Sequence, residues 1–538
     1  MKIKKSHVES IIFLAVYLFA LYMWTLPFQK NRTPYGEFDA ISHWELSDYI
    51  AETDKTFIDL PPFIDYSYGG QNSFRPHTLW YPPPFHTDLA IISSFAPERV
   101  VPVYLTNAIF ATAILVSLFF VIRSLYGFLP AILSSFLLSF SMRDIMPYLW
   151  GQWPERFGYA FIPLILYCFY EYYLSYTKES SKPHYLYIMG ILLAVQMMVH
   201  PLSFFHSMVG LLVLGIFLLI KNKKLPLNFK HIGIALVLFI FLLSIFPYQT
   251  GNVIKSFMEK SKKKHDYPSV SRLFQWAPDP KDFIGSVPAS YFSFSEMHGN
   301  WTLPFLLIGI LVLVIRRENR DLFLLAWLIS LYLILHRDFI GKYFFLHRSL
   351  SASAHIFVPI TAIGILSIPS FLVFLKKYQN ILKYIGAAVF VFLALSYNFP
   401  MAQSTLAGAY NSPIIRLIPP QMEASEWIKQ NVPEDMNVSV MGPPWDGMGQ
   451  MVYWISSYSL RISLPFEGFL TWKKYKDNPE IARYHLLNDY IMFDYSQIGM
   501  LQERRFVDQW LAFEQQYMGN HTLLYNKNNI RVYKYEPS

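Results

Sequence analysis

About eleven apolar runs set what this chain can fold into. They fall at roughly 10–27, 101–122, 125–142, 157–176, 184–200, 202–220, 231–249, 302–315, 321–335, 350–375 and 381–399. In lipid the backbone must satisfy its own hydrogen bonds, so such runs fold as helices. Several are shorter than the ~20 residues a spanning helix needs. The first run follows a basic start and no small-residue cleavage site follows it. It reads as an uncleaved helix with its basic end in the cytoplasm. Of 538 residues, 53% are hydrophobic and 15% charged, against about 25% charged in a soluble domain. That excludes an ordinary soluble enzyme. The net charge of +8 reads as loop lysine and arginine, because no basic run alternates with aromatics as a nucleic-acid footprint would. Cys168 is the single cysteine, so the chain has no internal disulfide.

Basic residues test the topology. Lys2, Lys4, Lys5, Arg123, Lys178, Lys182, Lys221, Lys223 and Lys224 fall at alternate helix ends, as the positive-inside rule requires. The later part fits poorly, since the most basic stretch, 255–272, would lie outside. Two regions lie off the membrane. Residues 28–100 form a long, polar, proline-rich first outer loop, and residues 400–538 a soluble tail. In the tail, 419–444 reads as helix, turn and strand. "DYIMFDYS" reads as a buried strand, "FVDQWLAFEQQY" as a helix and "HTLLYNKNNIRVYKYE" as a hairpin. The expected fold is an all-α polytopic membrane domain, 1–399, of about eleven transmembrane helices. A C-terminal α/β domain, 400–538, follows on the extracytoplasmic side.

Charged clusters at the helix mouths carry the candidate chemistry. In "GEFDAISHWELSDYIAE", a helix places Asp39 and His43 four residues apart on one face. Such a pair binds a metal, or acts as a base with its orienting partner. An amphipathic interfacial helix, with Trp44 and Leu46 toward lipid, explains the same spacing. Next come Arg75, His77, His86 and Asp88 among Trp80, Tyr81 and rigid prolines, which suits carbohydrate or phosphate as well as a plain loop. Arg143, Asp144, Glu155 and Arg156 sit in the next outer loop, facing a cavity or snorkelling to the interface. His200 and His206 lie at the outer end of two helices. His336, Arg337, Lys342, His347, Arg348 and His355 crowd another membrane edge, and arginine's fork suits phosphate.

In order along the chain stand Asp39 and His43, Tyr81-Pro82-Pro83, Gly151-Gln152 with Pro154-Glu155, His200-Pro201 and the tail's "ASEWIKQNVPEDMNVSV". With one helix, an acid-bearing loop, many further helices and an outer α/β tail, this order resembles the GT-C glycosyltransferases. It is especially similar to prokaryotic 6-pyruvoyl-tetrahydropterin synthase-related multi-spanning membrane proteins, although no residues suggest a pterin site. The resemblance implies transfer of a sugar from a polyprenyl-phosphate donor to an extracytoplasmic acceptor: an envelope polymer, a lipid or a protein. It implies Asp39 as catalytic base or metal ligand. Glu155 is the second candidate acid. His43, Arg75, His77, Trp80, Tyr81, Arg156, His200, Arg337 and Arg348 are candidate substrate contacts. Asp39 and His43 are candidate ligands of a divalent cation, Mg or Mn. No W-W-D-like motif occurs in the tail, which argues against peptide N-glycosylation. A flippase of lipid-linked sugars and a non-catalytic envelope-assembly protein are the other function classes that fit.

Overall fold

The computed structural model describes residues 5–29, 31–36, 38–53, 55–56, 83–226, 228–247, 250–251, 269–277, 288–340, 346–371, 377–408, 416–441, 448–465, 490–496 and 504–534. Each of the apolar runs carries a helix. Among the described residues, five helices are long and apolar enough to cross a membrane: Lys5–Trp24, Val101–Tyr126, Pro201–Asn222, Leu346–Phe371 and Gln379–Gly408. Three shorter apolar helices, His184–Val199, Phe229–Leu243 and Thr302–Arg316, accompany them. The protein is a membrane protein, but these lengths do not establish the expected eleven crossings.

The run expected as one helix over 125–142 departs most from expectation. It forms two helices, Phe128–Leu138 and Met142–Leu149, bent by 43°. The break is met by side chains. The Ser139 hydroxyl bonds back to the Ser135 carbonyl at 2.8 Å, and the Ser139 carbonyl accepts the Trp24 indole N–H at 3.1 Å. Side chains thus meet the backbone groups that a continuous helix would have used. Elsewhere the bundle packs very closely. A Cβ built on Gly364 would lie 1.9 Å from the Phe305 carbonyl oxygen, a backbone approach that small residues permit between membrane helices.

The tail holds a five-stranded sheet in the order β2-β1-β3-β5-β4. β1 (Asn437–Met441) pairs in parallel with β2 (Ile462–Pro465) and β3 (Tyr490–Asp494), and β5 (Ile530–Lys534) runs antiparallel to β3 and to β4 (Thr522–Lys527). β3 is buried along its length, as its apolar run predicts. The β4–β5 turn uses Asn528 and Asn529 at φ 52° and 61°, the left-handed pair that a tight hairpin favours.

The first-loop helix, Phe38–Thr53, is the join between bundle and tail. It is not interfacial: Trp44 and Glu45 are both fully buried. The tail helix Met448–Ser459 covers it, with the Trp454 indole donating to the Gly36 carbonyl at 3.2 Å and the Ser457 hydroxyl to Glu45 Oε1 at 2.5 Å. Arg99 donates to Asp48 at 2.5 Å, to Glu426 of the tail helix Pro419–Asn431 at 3.3 Å and to the Tyr458 carbonyl at 3.1 Å. Lys429 of the same helix pairs with Glu52. From the bundle side, Gly151 presses on the start of the helix. Its φ is +88°, and a Cβ there would lie 2.1 Å from the Ala40 nitrogen.

Two outcomes follow from this join. Arg99→Gln leaves the buried Asp48 without its cation and is expected to destabilise the protein by about 3 kcal/mol, read as a lower thermal midpoint in detergent. Gly151→Ala combines a strained φ with a backbone clash. It is expected to shift the helix start that carries Asp39. Limited proteolysis should find the rest of the bundle intact while new cleavage appears at the start of this helix.

Candidate active site

Asp39 is the second residue of the first-loop helix, in its first turn. Its carboxylate pairs with the Arg348 guanidinium, which the short helix Leu346–Ser351 presents from across the bundle. Arg348 Nη1 also stands 4.0 Å from Glu155 Oε2. Glu155 sits on the short helix Trp153–Tyr159, and His200 Nε2 lies 4.0 Å from the same oxygen. The Asp39 and Arg348 side chains keep 23% and 21% exposure, whereas Glu155 keeps 1%. Burial pushes the Glu155 carboxyl up, to about 7, against the opposing pull of Arg348. The site therefore holds one accessible acid that keeps a cationic partner and one enclosed acid poised between protonation states.

Arg337 joins them. Its Nη1 donates to the Ser349 hydroxyl at 2.9 Å, and His206 Nε2 meets the same hydroxyl at 3.1 Å. The sequence marked Asp39, Glu155, His200, Arg337 and Arg348 separately, and the fold brings them together. Two other expected residues go elsewhere. His43 does not meet Asp39 despite the four-residue spacing. Its Nδ1 lies 2.8 Å from His86 Nε2, in a buried imidazole pair enclosed by Phe85 and Trp153. Arg156 neither snorkels nor faces an open site. It is fully buried, pairs with Asp144 and lies 2.9 Å from His355 Nε2, which also meets Asp144 at 2.9 Å. Arg143 is equally enclosed and donates to the Tyr291 carbonyl. Arg75, His77, Trp80 and Tyr81 lie outside the described residues.

Supporting residues escaped the sequence reading. Ser349 and Tyr159 carry no motif, and the histidines they meet, His206 and His355, stand far away in the chain. The Tyr159 ring lies 5.2 Å from that of His206 and 5.6 Å from that of His355. As for a cation, no group of three or more His, Cys, Asp or Glu side chains among the described residues would hold a metal. Asp39 and His43 each face another partner.

An apolar groove of about 650 Å³ opens beside the site. Tyr17, Phe110, Phe120, Phe157, Phe161 and Leu164 are among its lining residues. Phe157 belongs to the same short helix as Glu155, two residues on, so the helix presents the groove and the charged cluster on different faces.

No curated protein matches the chain. Solved membrane enzymes share its fold. The archaeal oligosaccharyltransferase AglB from Archaeoglobus fulgidus, in complex with an inhibitory peptide and a dolichol-phosphate, superposes with a TM-score of 0.58 at 12% identity, over 98% of this chain and 74% of that one. ArnT from Cupriavidus metallidurans bound to undecaprenyl phosphate gives 0.57 at 9% identity, over 97% of each chain. The helical bundle with a small C-terminal sheet expected from the sequence is observed, in a fold shared with these two enzymes. The 6-pyruvoyl-tetrahydropterin synthase-related resemblance is not confirmed. With residues 5–454 matched by its model, the chain belongs to DUF6541, a family of unknown function.

Proposed function

We propose that this protein is a membrane glycosyltransferase that moves a sugar from a polyprenyl-phosphate donor to an acceptor on the extracytoplasmic face. One observation carries the reading: an accessible acid, two arginines and a buried acid converge in one cluster, in a bundle that also carries an apolar groove between its helices. Such a site suits a substrate that is half lipid and half anion. The prenyl chain would lie in the groove, with the phosphate on Arg348 and Arg337. The fold shared with ArnT and AglB, whose structures hold undecaprenyl phosphate and a dolichol-phosphate, supports it.

Asp39 acts as base. It takes the proton from an acceptor hydroxyl as that oxygen bonds to the anomeric carbon. The bond from that carbon to the phosphate oxygen breaks, and the electron pair leaves with the phosphate. Arg348 and Arg337 neutralise the charge that grows there in the transition state. Glu155 stays enclosed beside Arg348, and His200 packs on it. Arg156, tied to Asp144 and His355, holds the short helix of Glu155 in place. A divalent cation would have to take Asp39 from Arg348, so no step is routed through one.

The topology belongs to this reading. Glu9 with Arg123, Lys224 with the Thr177 carbonyl, and Arg320 with the Leu125 carbonyl gather at the helix ends remote from the site. The positive-inside rule places that end in the cytoplasm. Eleven crossings then carry the tail, 400–538, to the outer face. The acceptor is an envelope polymer, a lipid or a protein.

Purified protein in liposomes, given a panel of polyprenyl-phosphate sugars and host membrane extract, is expected to move label from carrier to a new product. Asp39→Asn should insert normally and lose about a hundredfold to ten-thousandfold in transfer rate. Transfer at the wild-type rate in that variant would remove Asp39 as the base. Donors left intact while label crosses the bilayer would identify a flippase instead.

A further inference from the structure

The base and the phosphate ligand of this mechanism are bonded to each other. Arg348 holds the Asp39 carboxylate, so the oxygen it engages is not open to an acceptor hydroxyl. Arg348 cannot give the same face to a phosphate and to Asp39. A phosphate competes well for that face, because it offers several anionic oxygens in the geometry that the guanidinium fork matches. The pair is also the part of the cluster that a ligand reaches: Asp39 and Arg348 keep 23% and 21% exposure, against 1% for Glu155. Once released, Asp39 stays in the first turn of its helix, where the helix dipole favours its negative charge.

We propose that Asp39 and a lipid-linked phosphate compete for Arg348, so that the donor binds first and its phosphate frees Asp39 to act as base. This rests on the transferase reading and adds an order to it. Before the donor arrives, Asp39 is held, and acceptor hydroxyls meet no active base. The donor is then protected from idle attack until it is seated on Arg348. Arg337, whose Nη1 donates to the Ser349 hydroxyl, gives the phosphate a second cation.

The competition makes an unusual demand on Asp39→Asn. The variant that abolishes transfer should bind the lipid phosphate more tightly. Undecaprenyl phosphate is titrated against wild type, Asp39→Asn, Arg348→Gln and the double variant, in the same detergent, after each has shown a cooperative thermal transition. Removing the competing carboxylate is expected to tighten binding roughly tenfold. Arg348→Gln is expected to weaken it by a similar factor. In the Arg348→Gln background, Asp39→Asn should change nothing, because the cation that Asp39 and the phosphate share is gone.

Three results would overturn the proposal. Weaker binding by Asp39→Asn would make Asp39 a direct ligand. An equal tightening in both backgrounds would reduce its effect to bulk repulsion. Wild type that does not bind undecaprenyl phosphate would end the competition and the transferase reading together, whereas the first two leave that reading standing. Should Arg348→Gln fail to fold, Arg348→Lys replaces it. With the fork lost, the tightening by Asp39→Asn should be smaller than in wild type, and an undiminished tightening would count against the proposal.

Discussion

Burying one acidic helix is the constraint on which the rest of the structure depends. The first-loop helix Phe38–Thr53 carries Asp39, Glu45, Asp48 and Glu52, and most of its length is enclosed. An unpaired buried carboxylate costs several kcal/mol, so each acid needs a partner. The partners come from different parts of the chain. Arg348 from a late bundle helix takes Asp39, Ser457 takes Glu45, Arg99 takes Asp48, and Lys429 takes Glu52. No single neighbour satisfies the helix. It settles only when the bundle and the tail have both closed on it, and Asp39 is placed by the same event.

A second buried network fixes the other wall of the site. Asp144, Arg156 and His355 meet where three helices converge. They tie Met142–Leu149 and Trp153–Tyr159 to the long helix that follows Arg348. Glu155 is one residue from Arg156, and Arg348 precedes His355 by two turns. The network therefore sets the spacing between Glu155 and Arg348 without touching a substrate. Gly151 completes the wall, since its bare backbone lets the Ala40 segment approach and Asp39 reach across.

Much of the helical pattern is legible in the sequence because lipid imposes it. Apolar runs such as 101–122 and 202–220 become Val101–Tyr126 and Pro201–Asn222 with small changes of boundary. The broken helix is not legible, because its break depends on Trp24 reaching the Ser139 carbonyl from another helix. The site divides in the same way. Asp39, Glu155, Arg337 and Arg348 announce themselves as charges at the membrane edge. Their partners do not, since pairing depends on distant chain contacts. The i, i+4 spacing offered His43 as the partner of Asp39, yet His86 takes His43 and a residue 309 positions away takes Asp39. Helical spacing tells which side chains share a face; tertiary packing decides which of them touch.

The two acids of the site differ in the way the mechanism requires. A base must reach solvent-borne acceptors, and Asp39 has the exposure for that once the phosphate has taken Arg348 from it. Glu155 is shut away, and burial favours its neutral form while Arg348 favours its charged one. When a phosphate takes Arg348 from Asp39, it also weakens the pull of Arg348 on Glu155, and the buried carboxyl then favours its proton. A neutral Glu155 adds no repulsion to the arriving phosphate. Donor binding would thus free one acid and quiet the other through a single guanidinium, which explains why Arg348 stands between two carboxylates rather than beside one.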